Sequence, residues 1–132
     1  MRPEAADYLK KARDYVEKAC DWLEAVHYGD EAARAAYLAA FHAAQALIFE
    51  RTIKVAKTHR GVRASFSRLA EQDPRIDETL TGFLARGYQR KEVVDYGIGP
   101  QTFVSETEAR EMIETARRFV GRVAEILAEE PV

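Results

Sequence analysis

The chain is organised around one helical stretch, Asp30–Ala56, with the sequence DEAARAAYLAAFHAAQALIFERTIKVA. Its larger apolar residues recur every three or four positions, which is the period of an amphipathic helix. Nine alanines between Ala32 and Ala46 favour the helix and let neighbouring backbones come close. A helix that is apolar over so much of its circumference is buried on several sides. The stretch therefore predicts the central helix of a bundle.

Four further segments with helical periodicity surround this one. We expect helices over Pro3–Tyr28, Asp30–Ala56, His59–Gln72 and Pro74–Val94, then a loop over Asp95–Phe103, and a fifth helix that opens at Ser105. The sequence shows no strand pattern, repeat or linker. Residues 1–132 are thus expected to form one all-α domain, an up-and-down bundle of about five helices around a four-helix core.

The ends of these helices carry recognisable capping residues. Gly29 is expected to end the first helix, and Asp30 to cap the second. Thr58 is the expected N-cap of the third helix, and Ser105 with Glu108 matches the capping-box pattern of the fifth. The tail from Glu129 to Val132 is expected to fray.

Composition excludes few functions. The net charge of −2 neither favours nor excludes a nucleic-acid partner. The N-terminus is polar and periodic rather than a signal peptide, and no apolar run approaches the roughly 20 residues of a membrane span. Because Cys20 is the single cysteine, no internal disulfide can form. These features predict a cytoplasmic protein without a membrane partner.

Charge is distributed unevenly along the chain. Between Arg51 and Ala70 there is no carboxylate, although the segment holds six arginines and lysines. Such a segment can present a basic face that attracts phosphates, and a predicted helix N-terminus would add free N–H groups. The candidate anion-binding residues are Lys57, His59, Arg60 and Arg63. The alternative is a solvated surface whose cations pair with acidic helices elsewhere.

A second candidate lies at QRKEVVDYG, residues 89–97. Arg90 could hold a phosphate, with Asp95 or Tyr96 as a polar neighbour that moves a proton. The alternative is structural, because Asp95 could pair with Arg90 while Tyr96 packs on the core.

Other chemistry finds little support in the sequence. His27, His42 and His59 do not have the spacing of metal ligands, and there is no cysteine cluster, phosphate-binding loop or dinucleotide motif. We therefore expect no metal and no cofactor. His42 is interpreted as a hydrogen-bonded core residue, or as part of a small-molecule pocket with Gln45 and Tyr37. Gly82 and Gly87 indicate close helix packing, or space for a ligand or partner.

Three motifs together resemble the HEPN family: AYLAAFHAAQALIFERT (residues 36–52), KTHRGV (57–62) and R-x4-DYG (90–97). The resemblance extends over nearly the whole chain and looks like the single-domain prokaryotic branch. It implies a small helical bundle that is commonly a homodimer. It also implies a toxin-like protein directed at RNA or nucleotides, often encoded beside a minimal nucleotidyltransferase that neutralises it.

Active members of that family are metal-independent ribonucleases in which an arginine is followed four to six residues later by a histidine. Here Arg90 matches the arginine, and the resemblance makes it the principal anion contact. Asp95 stands where the histidine belongs, and an ionised carboxylate is a poor proton donor that repels phosphate. The catalytic candidates implied are Arg90, Asp95 and Tyr96. Two functions stay open: a HEPN-type RNA-directed protein with or without cleavage, and a non-catalytic helical interaction module.

Overall fold

The computed structural model describes residues 1–97 and 103–129. These residues form five α-helices and no strand: α1 (Pro3–Glu24), α2 (Gly29–Thr52), α3 (His59–Gln72), α4 (Glu78–Tyr96) and α5 (Glu106–Glu129). The prediction of an all-α bundle is confirmed. The expected bounds of the third helix match those of α3 at both ends.

The α2 helix is the central element of the bundle, as its sequence predicts. It packs against each of the other four helices, and 17 of its 24 residues are buried. Gly87 of α4 lies directly against it, because a Cβ at this glycine would come within 2.8 Å of Cδ1 of Tyr37. The close-packing interpretation of Gly87 is therefore confirmed.

The connection between α1 and α2 differs from the prediction. The first helix ends at Glu24 rather than Tyr28, and the left-handed residue that follows is His27, at φ 57°. Gly29 is the first residue of α2, where a Cβ would overlap the carbonyl oxygen of Val104. Asp30 does not cap the helix, because its Oδ1 accepts the N–H of Val104 at 2.6 Å. Gly29 and Asp30 thus hold the segment that leads into α5.

The second helix ends at Thr52 rather than near Ala56, because Ile53 adopts a left-handed conformation with φ 61°. Its N–H donates to the carbonyl of Phe49 at 2.9 Å. After a short connection, Thr58 caps α3 as predicted, since its side chain accepts the N–H of Gly61 at 2.9 Å.

The bounds of α4 are shifted along the chain relative to the prediction. Pro74 remains in the connection, and Asp77 caps the helix by accepting the N–H of Leu80 at 3.2 Å. The helix continues past Val94, so that Asp95 and Tyr96 are helical rather than part of a loop.

The capping box of α5 is confirmed in one half. Ser105 Oγ accepts the N–H of Glu108 at 3.1 Å, but the Glu108 carboxylate turns to Arg90 of α4. The rest of the predicted loop, residues 98–102, and the end of the tail, residues 130–132, lie outside the described residues.

Candidate nucleic-acid interface

The carboxylate-free segment keeps most of its positive charges unpaired. Arg51 differs from the rest, because it forms an ion pair with Asp73 at 2.6 Å. The other cations of the segment make no ion pair with any residue that the structure describes: Lys54, Lys57, Arg60, Arg63 and Arg68. The alternative of ion pairs with acidic helices is therefore not seen for these five cations among the described residues, although Glu92 and Asp95 of α4 lie close enough to act on His59. Lys57 and Arg60 are exposed on either side of the α3 N-terminus.

His59 occupies a half-buried position among aromatic rings. Its Nδ1 lies 2.7 Å from the hydroxyl oxygen of Tyr37, and its ring centroid is 4.7 Å from that of Phe41 and 5.0 Å from that of Tyr88. These contacts from α2 and α4 fix the plane and the direction of the imidazole. Its Nε2 makes no hydrogen bond to the described residues.

The surroundings of His59 favour the neutral imidazole. Burial lowers its pKa below the ordinary value of 6.5, and the nearby Lys91 and Arg63 cations lower it further. Burial raises the pKa of Tyr37 strongly, so the hydroxyl keeps its proton. In the tautomer whose Nδ1–H donates to the Tyr37 oxygen, Nε2 carries a free lone pair. An imidazole held in this state can accept a proton near neutral pH.

Arg63 lies beside His59, one helical turn further along α3. Its guanidinium carbon is 4.4 Å from the centroid of the Tyr88 ring, which is a cation–π contact. Hydrogen bonding to Glu92 raises the pKa of Tyr88, so this ring too stays neutral. The guanidinium is thus held in place by an aromatic face rather than neutralised by a carboxylate.

Arg90 lies in a different environment, between α4 and α5. Its Nη2 donates to Glu108 Oε2 at 2.8 Å, and both side chains are partly buried. An open pocket of about 250 Å³ adjoins the pair, lined also by Arg86 and Met112. Arg90, which the resemblance makes the principal anion contact, is thus paired with a carboxylate through Nη2, while its Nε has no hydrogen-bond partner among the described residues.

Asp95 and Tyr96 do not converge with Arg90. The Asp95 carboxylate accepts a hydrogen bond from Nζ of Lys91, one turn earlier in α4, at 2.6 Å. It also lies 3.2 Å from Nε of Arg34 in α2. The side chain of Tyr96 is 77% exposed. Five residues along a helix correspond to about 140° of rotation, so Arg90 and Asp95 point to different neighbours. Within one chain, the predicted catalytic group is therefore spread over separate faces.

The interpretation of His42 as a core residue is confirmed. Its Nδ1 lies 2.7 Å from Gln45 Oε1, and Gln45 Nε2 donates to the carbonyl of Ala56 at 2.8 Å. The ring of Tyr15 stacks on His42 with the centroids 5.3 Å apart. Through these hydrogen bonds His42 and Gln45 connect α2 to the segment that follows it.

Sequence reasoning missed Tyr88, Lys91 and Arg34 as neighbours of the site. Tyr88 carries Arg63, whereas Lys91 and Arg34 engage Asp95. The spacing of Lys91 and Asp95, four residues apart on one helix, is the usual one for an ion pair and could have identified that contact. Nothing in the sequence pairs Arg34 with a residue so far along the chain.

Two kinds of feature are absent from the part of the chain that the structure describes: a metal-binding cluster and a membrane-spanning helix. Residues 1–97 and 103–129 contain no group of three or more histidine, cysteine, aspartate or glutamate side chains placed to hold a metal ion. The same residues include no helix both long and apolar enough to cross a membrane.

The two buried histidines predict a pH-dependent stability. Folding lowers the pKa of His42 and His59, burial being the main cause for both, so the unfolded chain binds protons more readily. Their contribution is fully present above about pH 6.5 and is lost as the pH falls below that value. Urea unfolding at pH 7.5 and 5.5 should show lower stability at the acidic pH, and His42→Gln and His59→Gln should each reduce the difference. An unchanged difference in both variants would contradict this origin.

The resemblance to the HEPN family implies a small helical bundle. The observed bundle, which is centred on the alanine-rich helix α2, agrees with that expectation. The comparison with known families agrees: the chain belongs to the HEPN domain family, whose model matches residues 5–127. Among curated proteins, one from Methanocaldococcus jannaschii named "Putative toxin MJ0605" is 32% identical over 102 residues, covering 77% of this chain and 72% of the relative.

A solved structure supports the same architecture. The crystal structure of TT1696 from Thermus thermophilus is similar with a TM-score of 0.70 and 24% sequence identity. The match covers 94% of this chain and 98% of the other. At this identity the similarity concerns the fold.

Proposed function

We propose that this chain is a toxin-like HEPN protein that binds RNA through the surface formed by Lys57, His59, Arg60 and Arg63. The observation that carries the proposal is the absence of carboxylate partners for these cations among the described residues. Clustered cations without partners attract a polyanion and release its counterions on binding. Family membership and the name of the Methanocaldococcus relative support the toxin-like part of the proposal.

The same surface supports a role in cleavage. His59 is neutral near pH 7 and oriented by Tyr37, so its Nε2 could take the proton of a ribose 2′-hydroxyl as that oxygen attacks the phosphate. The bond from phosphorus to the 5′ oxygen would break, and the leaving oxygen would take a proton from water. Arg63 would stabilise the charge that builds on the phosphate oxygens. In this proposal, His59 rather than Asp95 is the acid–base residue. Asp95 holds Lys91 and Arg34 in place.

The proposed partners follow from the family. We expect a cytoplasmic homodimer whose interface involves α4 and places Arg90 near the two-fold axis, and a minimal nucleotidyltransferase as the antitoxin. The pocket between α4 and α5 beside Arg90 supports that face as the interface. Light scattering at tens of micromolar tests the dimer. A small nucleotidyltransferase encoded in the neighbouring reading frame would support the pairing.

Binding to RNA is tested with a fluorescent single-stranded oligonucleotide at several salt concentrations. Affinity should fall as salt rises, and Lys57→Gln combined with Arg60→Gln should weaken binding by roughly tenfold and flatten the salt dependence, because two phosphate contacts are lost. The matched control is Lys11→Gln with Arg13→Gln, which removes two exposed charges from α1.

Equal losses in the two double variants would mean that net charge, not this surface, sets the affinity. Absence of binding by the wild-type protein would favour the other class of function, a helical interaction module without a nucleic-acid ligand. A cleavage assay without metal ions then distinguishes a ribonuclease from a protein that only binds RNA. If the chain cleaves RNA, His59→Gln should abolish the cleavage.

A further inference from the structure

A groove runs between the end of α2, the connection that follows it, and α3. Its volume is about 480 Å³. Ile48, Val55 and Leu69 line it, together with the cations Lys54 and Arg68. Val55 is exposed, whereas Ile48 and Leu69 are almost fully buried. No carboxylate lines the groove, and neither cation forms an ion pair with a residue in the described part of the chain. The groove therefore combines an apolar surface with uncompensated positive charge.

Ile53 lies in the sequence between the groove residues Thr52 and Lys54 and has an unfavourable backbone conformation. It is left-handed, with φ 61°, and its side chain is 59% exposed. A left-handed backbone is strained for a β-branched residue, and glycine is the usual choice where a helix ends in this way. Val55, also aliphatic, is 48% exposed. Two aliphatic residues are thus largely presented to solvent, one of them at a position where glycine would be less strained.

We propose that this groove, with Ile53 and Val55 at its edge, binds a short acidic segment of a partner protein that carries an apolar anchor residue. The anchor would pack on the aliphatic side chains, while carboxylates would pair with Lys54 and Arg68. Charge complementarity selects an acidic partner. The lining contains no aromatic ring, although single-stranded RNA is usually held by stacking on such rings. A protein segment therefore fits better than RNA.

The groove is separate from the part of the proposed RNA surface that His59 and Arg63 form. Gly61, Ser65 and Arg68 of α3 line the groove, whereas His59 and Arg63 contact the α4 side chain Tyr88. Residues two positions apart on a helix point in nearly opposite directions. His59 and Arg63 thus lie on a different side of α3 from the groove, whereas Lys57 and Arg60 are sequence neighbours of its residues Ala56 and Gly61. Arg63 can therefore be changed without changing the groove.

The test uses the full chain and a fluorescein-labelled peptide of about eight residues. The peptide has two leucines as apolar anchors, and glutamates on either side of them supply the negative charge. Fluorescence anisotropy should show binding of this peptide. The single variant Ile53→Gly and the double variant Lys54→Gln with Arg68→Gln should each weaken the binding roughly tenfold. Arg63→Gln, on the other side of α3, should leave peptide binding unchanged. Glycine suits the left-handed position, so Ile53→Gly should melt no lower than wild type, and loss of binding cannot be ascribed to unfolding.

Several results would overturn the proposal. Equal binding of a peptide with serines in place of the leucines would show attraction by charge alone. Displacement of the peptide by single-stranded RNA from a chain that carries Lys57→Gln and Arg60→Gln would make RNA the ligand of this groove. Self-association of the chain that disappears in Ile53→Gly would make a second copy the occupant. Undiminished peptide binding by both groove variants would place the peptide elsewhere. None of these results depends on whether the Lys57–Arg63 surface binds RNA.

Discussion

Replacement of Asp73 by alanine should lower the free energy of unfolding by about 3–5 kcal/mol, the loss expected when one partner of a buried ion pair is removed. The Asp73 side chain is 9% exposed and accepts Arg51 Nη2 at 2.6 Å and Arg75 Nη2 at 2.8 Å. Arg75 also donates to Glu129 of α5 at 2.8 Å. One carboxylate therefore joins the end of α2 and the α3–α4 connection, and through Arg75 it reaches the end of α5.

The matched control is Asp14→Ala. Asp14 pairs with Lys10 at 3.3 Å, but the two side chains are 49% and 79% exposed, so this pair should contribute less than about 0.5 kcal/mol. Chemical denaturation of both variants at neutral pH provides the measurement. Similar losses for the two aspartates would mean that Asp73 does not hold the helices together.

Hydrogen bonds from Arg75 also hold the pKa of Asp73 well below its ordinary value, so its contribution should persist until the pH falls below about 4.

Replacement of Gly29 by alanine should lower the free energy of unfolding by about 2–3 kcal/mol, which is typical of forcing an extra carbon into a packed site. The new Cβ would overlap the carbonyl oxygen of Val104 and lie 3.1 Å from that of Ser105. Both atoms belong to the backbone, so relief requires the segment before α5 to move. That movement would also stretch the hydrogen bond between Val104 N–H and Asp30.

Gly121→Ala provides the matched control for the chemical change itself. Gly121 is in the interior of α5, and a Cβ there would meet no atom within 4 Å. Alanine should therefore raise stability by about 0.5–1 kcal/mol through its better helix propensity. Thermal and urea unfolding of the pair should move in opposite directions. A Gly29→Ala protein as stable as wild type would show that the α1–α2 connection can separate from Val104 at little cost.

Helix existence and type could be predicted because periodicity is a local property of the sequence. The Asp30–Ala56 stretch identified the central helix, and Thr58 marked the start of α3 correctly. Errors arose where a residue acted through distant parts of the chain. Gly29 was interpreted as a local cap, but its lack of a side chain is required by Val104, which follows far along the sequence. His27 and Ile53 took the left-handed positions usually given to glycine.

The candidate site was predictable in part for the same reason. The missing carboxylates between Arg51 and Ala70 are visible in the sequence, and so the basic surface could be proposed from it. The partner of Arg90 could not, because Glu108 belongs to another helix and was expected to complete a capping box. The support of His59 by Tyr37 likewise depends on how α3 packs against α2.

In the proposed function, phosphate recognition belongs to the α3 surface and not to Arg90. The most direct measurement compares RNA affinity for Arg63→Gln and Arg90→Gln at one low salt concentration, with melting temperatures to confirm folding. Arg63→Gln should weaken binding by roughly tenfold, because an unpaired guanidinium is lost. Arg90→Gln should change affinity by less than about twofold and act mainly on stability, since Arg90 pairs with Glu108. The reverse order, with a large loss for Arg90→Gln and little for Arg63→Gln, would contradict the account.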